Sequence, residues 1–112
     1  MESRTRTEGG YTIIELEGEV DLSCSPKARK EILAVLAAGQ HLLVDLSSVS
    51  YIDSSGVASL VEGYQAAKKK KLKFGLIGVS QAAIGVLKLA RLDKVFPIHA
   101  GVAERLQADG QS

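Results

Sequence analysis

Residues His41–Leu46 read His-Leu-Leu-Val-Asp-Leu, a short and nearly continuous apolar run set between two stretches of helical periodicity. Such a run suits a strand buried on both faces, as inner strands of parallel sheets are. Before it, Ala28, Ile32, Val35 and Leu36 recur on one helical face, with Ser25 suited to the N-cap, Pro26 to the first turn and Gly39 to the end. After it, a polar stretch, Ser47–Ser50, leads to Tyr51-Ile52-Asp53-Ser54-Ser55-Gly56. Val57, Leu60, Val61 and Tyr64 then repeat at helical spacing up to a run of lysines. Asp53 or Ser54 is the expected cap of this second helix.

The flanking segments extend the alternation. Glu8-Gly9-Gly10 is a turn signal between residues 3–7 and 11–17, which are expected to pair as a hairpin, and 18–25 reads as a loop. Leu72–Gly78 reads as a further strand, Ser80 as the cap of a helix reaching about Ala90, Val95–Ile98 as a short strand, and Gly101–Ala108 as a last helix. The expected order is ββαβαβαβα, an α/β fold with a mostly parallel mixed sheet and helices packed against it. With 112 residues, a single small domain spanning residues 1–112 is expected.

Composition removes several function classes. Fourteen Lys and Arg against thirteen Asp and Glu give a net charge of +1, too little for an overall nucleic-acid footprint. Aromatics total 4% with no Trp, which leaves little to stack on single-stranded bases. One cysteine, Cys24, and two histidines, His41 and His99, make a Cys/His zinc site improbable. No apolar run approaches the roughly 18 residues of a membrane span, and residues 1–10 are polar, so no membrane insertion and a cytoplasmic location are expected. There is no Walker loop, dinucleotide fingerprint or Gly-x-Ser-x-Gly elbow, and nothing fixes Ser54, His99 and Asp53 as a triad. No catalytic residue, cofactor or metal site is therefore assigned.

Other features have plain readings. The lysines at 68–71 and 73 suit the negative end of a helix dipole, and read as a solvated helix end rather than a patch for nucleic acid or anionic lipid. Gly75 and Gly78 allow close packing within a strand. Both histidines, at strand ends, are expected to be exposed, and Cys24 an incidental thiol. Asp45 ends the central strand, where a receiver domain holds its phosphoacceptor, but the acidic pair and the late lysine of that chemistry are missing. Its expected role is to bond loop amides. Asp53-Ser54-Ser55-Gly56 at a strand-to-helix junction is in itself a capping sequence. The same position suits a phosphorylation switch, since a helix N-terminus accommodates added negative charge.

Three ordered segments resemble the STAS domains of anti-sigma factor antagonists. Gly18-Glu19-Val20-Asp21-Leu22 resembles that family's turn before the first helix, the stretch Leu43–Gly56 its signature strand and phosphorylation loop, and Leu87–Ile98 its C-terminal segment. The resemblance runs nearly end to end and departs after Gly56, where the common Leu-Gly is Val57-Ala58. It implies that Ser54 is phosphorylated by a serine kinase that is itself the anti-sigma factor, that the unphosphorylated chain binds this kinase, and that a PP2C-type phosphatase resets it. The chain would then be a substrate and binder, not an enzyme, and a monomer when free. The expected partner-binding residues are Asp21, Asp53, Ser54, Ser55 and Gly56, with Ala58, Ser59 and Glu62 on the partner-facing side of the second helix. An alternative within the same family is an accessory subunit of a lipid-transport ABC system docking on its ATPase.

Overall fold

The computed structural model describes residues 1–110, so residues 111 and 112 of the expected domain lie outside the described part. Gly9 and Gly10 both have positive φ, 61° and 85°, the pairing that a two-residue hairpin turn demands of its centre. They join β1 (Glu2–Glu8) to β2 (Tyr11–Val20) in antiparallel register, Glu8 opposite Tyr11 and Glu2 opposite Glu17. α1 (Ser25–Ala37) then crosses to β3 (Leu42–Ile52), α2 (Ser54–Lys69) to β4 (Phe74–Ile77), α3 (Gln81–Leu89) to β5 (Ile98–His99), and α4 (Val102–Asp109) follows. The sheet order is β1-β2-β3-β4-β5, with every pair after the first parallel. This is the expected ββαβαβαβα order and mixed sheet, with Leu42–Leu46 of the apolar run in the middle strand and His41 just before it.

The two faces of the sheet are covered unequally. Leu42, Val44 and Leu46 of β3 pack with Ala28, Ile32 and Leu36 of α1, Leu60 and Ala67 of α2, and Ala83 and Leu87 of α3 in the main core. Leu43 points the other way, into a smaller cluster with Tyr11, Ile13, Ile77 and Val102 of α4. α4 is tied down by Arg105, 7% exposed, which donates to the Phe74 carbonyl at 3.1 Å and to Asp109 at 3.1 Å. A Cβ on Gly75 would come within 2.4 Å of that guanidinium, so this glycine makes the room the arginine fills.

Several boundaries differ from the sequence expectations. Ser25 is the first residue of α1 and Cys24 its cap position, without a side-chain cap. β3 does not stop at Leu46. It runs on through Ser47–Ser50 because β2 continues beside it, past two register shifts, to the pair Val20–Ile52. β2 likewise extends through Gly18 to Val20 rather than entering a loop. β4 is confined to Phe74–Ile77. Val95 and Phe96 form a turn on the Leu92 carbonyl, with the Phe96 ring packed against Tyr64 and Phe74 at 5.6 and 6.2 Å, so β5 begins at Ile98 instead of Val95. Both histidines are half-buried rather than exposed. His41 Nδ1 accepts from the Lys73 amide at 3.0 Å.

α2 carries its expected core residues Val57 and Leu60 inward, with Val61 and Tyr64 at the margin of the core. Leu60 is 1% exposed, at the junction of sheet and helices. Leu60→Ala is expected to cost about 2 to 5 kcal/mol by opening a cavity there, measured as a loss of unfolding free energy in urea.

Candidate functional site

The pairing of Val20 with Ile52 brings the ends of β2 and β3 side by side, and with them the two loops that follow. The Asp53 amide donates to the Val20 carbonyl at 3.2 Å, and the Leu22 amide donates to Asp53 Oδ2 at 3.2 Å. The other carboxylate oxygen, Oδ1, accepts from the amides of Ser55 at 2.9 Å and Gly56 at 3.2 Å, capping α2. One side chain thus fixes the start of a helix and the loop before another.

The local chemistry repeats three times. In Asp21-Leu22-Ser23, Asp45-Leu46-Ser47 and Asp53-Ser54-Ser55, the aspartate Oδ1 accepts both the amide and the hydroxyl of the serine two residues on. These are Asx turns, in which a short carboxylate closes the ring that a backbone carbonyl closes in an ordinary turn. Asp45 bonds the Ser47 amide, but both lie within β3, so it neither ends the strand nor holds the loop expected after it. The third turn commits Ser55 Oγ to Asp53 at 2.5 Å and leaves the exposed Ser54 hydroxyl outside all of these bonds.

Asp21, Asp53, Ser54 and Ser55 therefore lie together at one end of the sheet, with exposed Glu19 beside them on β2. The Ser23 hydroxyl and amide hold the Asp21 carboxyl below its ordinary range, against the charge of Asp53. Asp53 is held below it chiefly by the Ser55 hydroxyl, with the Gly56, Ser55 and Leu22 amides outweighing its partial burial. Both are ionised at neutral pH, and the mouth between the loops is acidic.

Ala58 and Glu62 continue from Ser54 along the exposed side of α2, at i+4 and i+8, and Glu62 pairs there with Arg29 of α1. Gly56 and Ser59 do not join them. Ser59 is 5% exposed, its hydroxyl donating to the carbonyls of Ser55 at 3.1 Å and Ser25 at 3.3 Å. It faces α1, as does Gly63, where an added Cβ would stand 2.5 Å from Ile32 of α1. A Cβ on Gly56 would stand 2.7 Å from Ile52 and 2.9 Å from the Val20 carbonyl, so this glycine lets the helix start close against the strand ends. Both positions shape the site from below and offer no side chain to a partner.

Sequence reasoning passed over Leu22 as a site residue. Its side chain is 73% exposed on the loop that Asp53 holds. The repeated Asp-x-Ser does not single it out, because in Asp45-Leu46-Ser47 the middle residue is buried in the core. Among the described residues, no group of three or more His, Cys, Asp or Glu is placed to hold a metal ion.

Residues 2–105 match the sequence profile of the STAS domain. An anti-sigma-B factor antagonist of Listeria monocytogenes is 30% identical over 87 residues, covering 76% of this chain and 75% of that protein. The crystal structure of an anti-sigma factor antagonist from Mycobacterium paratuberculosis superposes with a TM-score of 0.82 at 28% identity, over 96% of this chain and 92% of that one. The phosphorylated form of SpoIIAA, a Bacillus cell fate determinant, shares the fold with a TM-score of 0.73 at 18% identity, over 96% and 98% of the two chains.

The depressed Asp53 carboxyl fixes the sign of a pH effect. Its folded-state value lies below the ordinary 3.8, so its stabilisation is complete above that pH and is lost as pH falls through the folded-state value. Asp53→Ala is expected to lower the melting temperature at neutral pH, with the gap from the unsubstituted chain narrowing below about pH 3.8. Thermal melts followed by circular dichroism across acid pH measure this.

Proposed function

The chain belongs to the STAS domain family, and on that premise we propose that it is an anti-sigma factor antagonist, phosphorylated on Ser54 and working by partner switching in the cytoplasm. Unphosphorylated, it is a monomer that binds an anti-sigma factor serine kinase through Asp21, Asp53, Ser54 and Ser55 and the exposed side of α2 at Ala58 and Glu62. The kinase supplies ATP chemistry and a PP2C-type phosphatase reverses it, so the chain acts as substrate and binding protein. The observation that carries this reading is the contrast between two adjacent serines. Ser55 is committed to Asp53, while Ser54 is exposed with its hydroxyl engaged by none of the capping bonds.

The surroundings of Ser54 support an electrostatic mechanism. A phosphate there adds about −1.5 to −2 charge at neutral pH. The amides of Ser55 and Gly56 are already taken by Asp53, and the Val57 amide by the Asp53 carbonyl, so the new charge is not absorbed by the helix end. It adds to Asp53, Asp21 and Glu19. The fold tolerates it because Ser54 is exposed, but a partner that must desolvate it does not, since a mismatched interfacial charge costs about 2 to 5 kcal/mol.

Phosphorylation is therefore expected to weaken kinase binding by roughly 30-fold or more at about 1.4 kcal/mol per decade, with an unchanged circular dichroism spectrum. Ser54→Ala should bind constitutively and resist the kinase, and Ser54→Asp should reproduce the weak state in part. Titration calorimetry of a candidate kinase, with mass spectrometry of the phosphosite, reads these outcomes. Equal affinity of both forms, phosphate on Ser55 with Ser54 untouched, or stable association with a transport ATPase in place of a kinase would overturn the reading. Glu62→Lys breaks only an exposed ion pair, of the kind worth about 0 to 1 kcal/mol, and is expected to weaken binding while hardly moving the melting temperature.

A further inference from the structure

α1, α2 and α3 end in the same way. In each, a residue in the left-handed region is followed by one whose amide closes on the carbonyl five residues back: Gln40 on Val35 at 3.3 Å, Leu72 on Ala67 at 2.8 Å, and Leu92 on Leu87 at 2.8 Å. The left-handed position favours glycine, because a Cβ there crowds the following carbonyl. α1 has Gly39, at φ 77°. α2 and α3 have Lys71 and Arg91, at 58° and 59°, and these are the only non-glycine residues at positive φ in the described chain. Neither cation forms an ion pair among the described residues. The helix dipoles do not require them, since Lys68 and Lys69 already occupy the last turn of α2, and Lys88 that of α3.

The topology collects these cations on one edge. β3, β4 and β5 are parallel and joined through α2 and α3, so both helices end where the strands begin. The Leu42 amide at the start of β3 donates to the Lys73 carbonyl, and Phe96 beyond α3 packs on Phe74 and Tyr64. Five exposed lysines between positions 68 and 73 thereby join Lys88, Arg91 and Lys94, all exposed as well. The carboxylates nearby are Asp93 and Asp109, the latter paired with Arg105 and, at 3.9 Å, with Lys73 of the edge itself. With a net charge of +1 overall, the rest of the chain is acidic. On the same edge Leu89 is 87% exposed, the most exposed large hydrophobic side chain of the described chain, and Val95 is 47% exposed.

Against the reading of the lysine run by itself as a solvated helix end, we propose that this edge is a peripheral docking surface for an anionic lipid bilayer. Its cations match the negative headgroups, while Leu89 and Val95 reach the acyl boundary between them. Nucleic acid fits less well, because the edge pairs its charge with exposed aliphatic side chains and no exposed aromatic for bases to stack on. Attachment is to the surface only, as no helix among the described residues is long and apolar enough to cross a membrane. Ser54 lies just past the far end of β3, whose ten residue steps of about 3.3 Å span ~33 Å from the basic edge.

Co-sedimentation with vesicles of phosphatidylcholine, alone or mixed with phosphatidylserine, tests the proposal. The full chain is expected to partition onto the anionic vesicles, not the neutral ones, and to be released by salt. Lys71→Gly and Arg91→Gly should each weaken partitioning roughly fivefold, the weight of one cation at an anionic surface. Their melting temperatures should hold or rise, because glycine relieves the left-handed backbone. Leu89→Ser should weaken partitioning with no change in melting temperature. No uptake by anionic vesicles, wild-type uptake by both glycine variants, or tighter retention on double-stranded nucleic acid than on vesicles at the same salt would overturn it.

Discussion

The carboxylate of Asp53 joins elements that no other side chain of the site joins. Oδ1 caps α2 through Ser55 and Gly56, Oδ2 holds the Leu22 amide of the preceding crossover, and the Asp53 backbone extends the β2–β3 ladder through Val20. These bonds share one residue, so its position is overdetermined, and so is that of Ser54 next to it. The phosphoacceptor role proposed for Ser54 requires a hydroxyl presented at a fixed angle without being consumed by the structure presenting it. Here the neighbouring aspartate does the capping and leaves the serine unengaged, which is a different arrangement from a serine that caps with its own hydroxyl.

The packing beneath the site explains how an exposed serine sits on a rigid base. α2 is buried along two sides, by the sheet through Gly56, Val57 and Leu60, and by α1 through Ser59 and Gly63. A Cβ on Gly63 would come within 2.5 Å of Ile32, a measure of how closely the two helices approach. The exposed remainder is a narrow strip with Ser54, Ala58 and Glu62 one helical turn apart. A rigid helix with a single open strip offers a partner one geometry. The phosphorylation proposed at its first residue would then alter charge and not shape.

Features governed by neighbours in sequence were legible before the structure. The Gly9-Gly10 turn, the Asp53 and Ser80 caps and the order of elements each depend on a few adjacent residues whose conformational preferences are strong. Where contacts distant in sequence decide, reading failed. Ser47–Ser50 is polar enough for a loop, yet it pairs with β2 because that strand continues beside it. Ser59 falls outside the hydrophobic stripe of α2, yet it is buried because α1 lies against it, and small residues leave almost no trace in a periodicity of large apolar ones. Ser54, by contrast, was found through resemblance, and the reason for its availability emerged only from the bond that occupies Ser55.

The near-neutral composition hides the most directional property of the molecule. Parallel strands linked through helices sort the chain into two ends, loops that follow strands at one and loops that precede them at the other. Carboxylates suit the first end, where helix N-termini carry partial positive charge, and cations suit the second. Dipole matching accounts for Asp53 and for the lysines inside the last turn of α2. It does not account for Lys71 and Arg91, which stand beyond their helices in a backbone conformation that α1 gives to glycine. No other described non-glycine residue stands at positive φ. Disagreement of that kind between residue and backbone is retained where a residue answers to something outside the fold. The end that carries it is the one remote from Ser54, so charge added at the proposed switch would leave the basic edge unchanged.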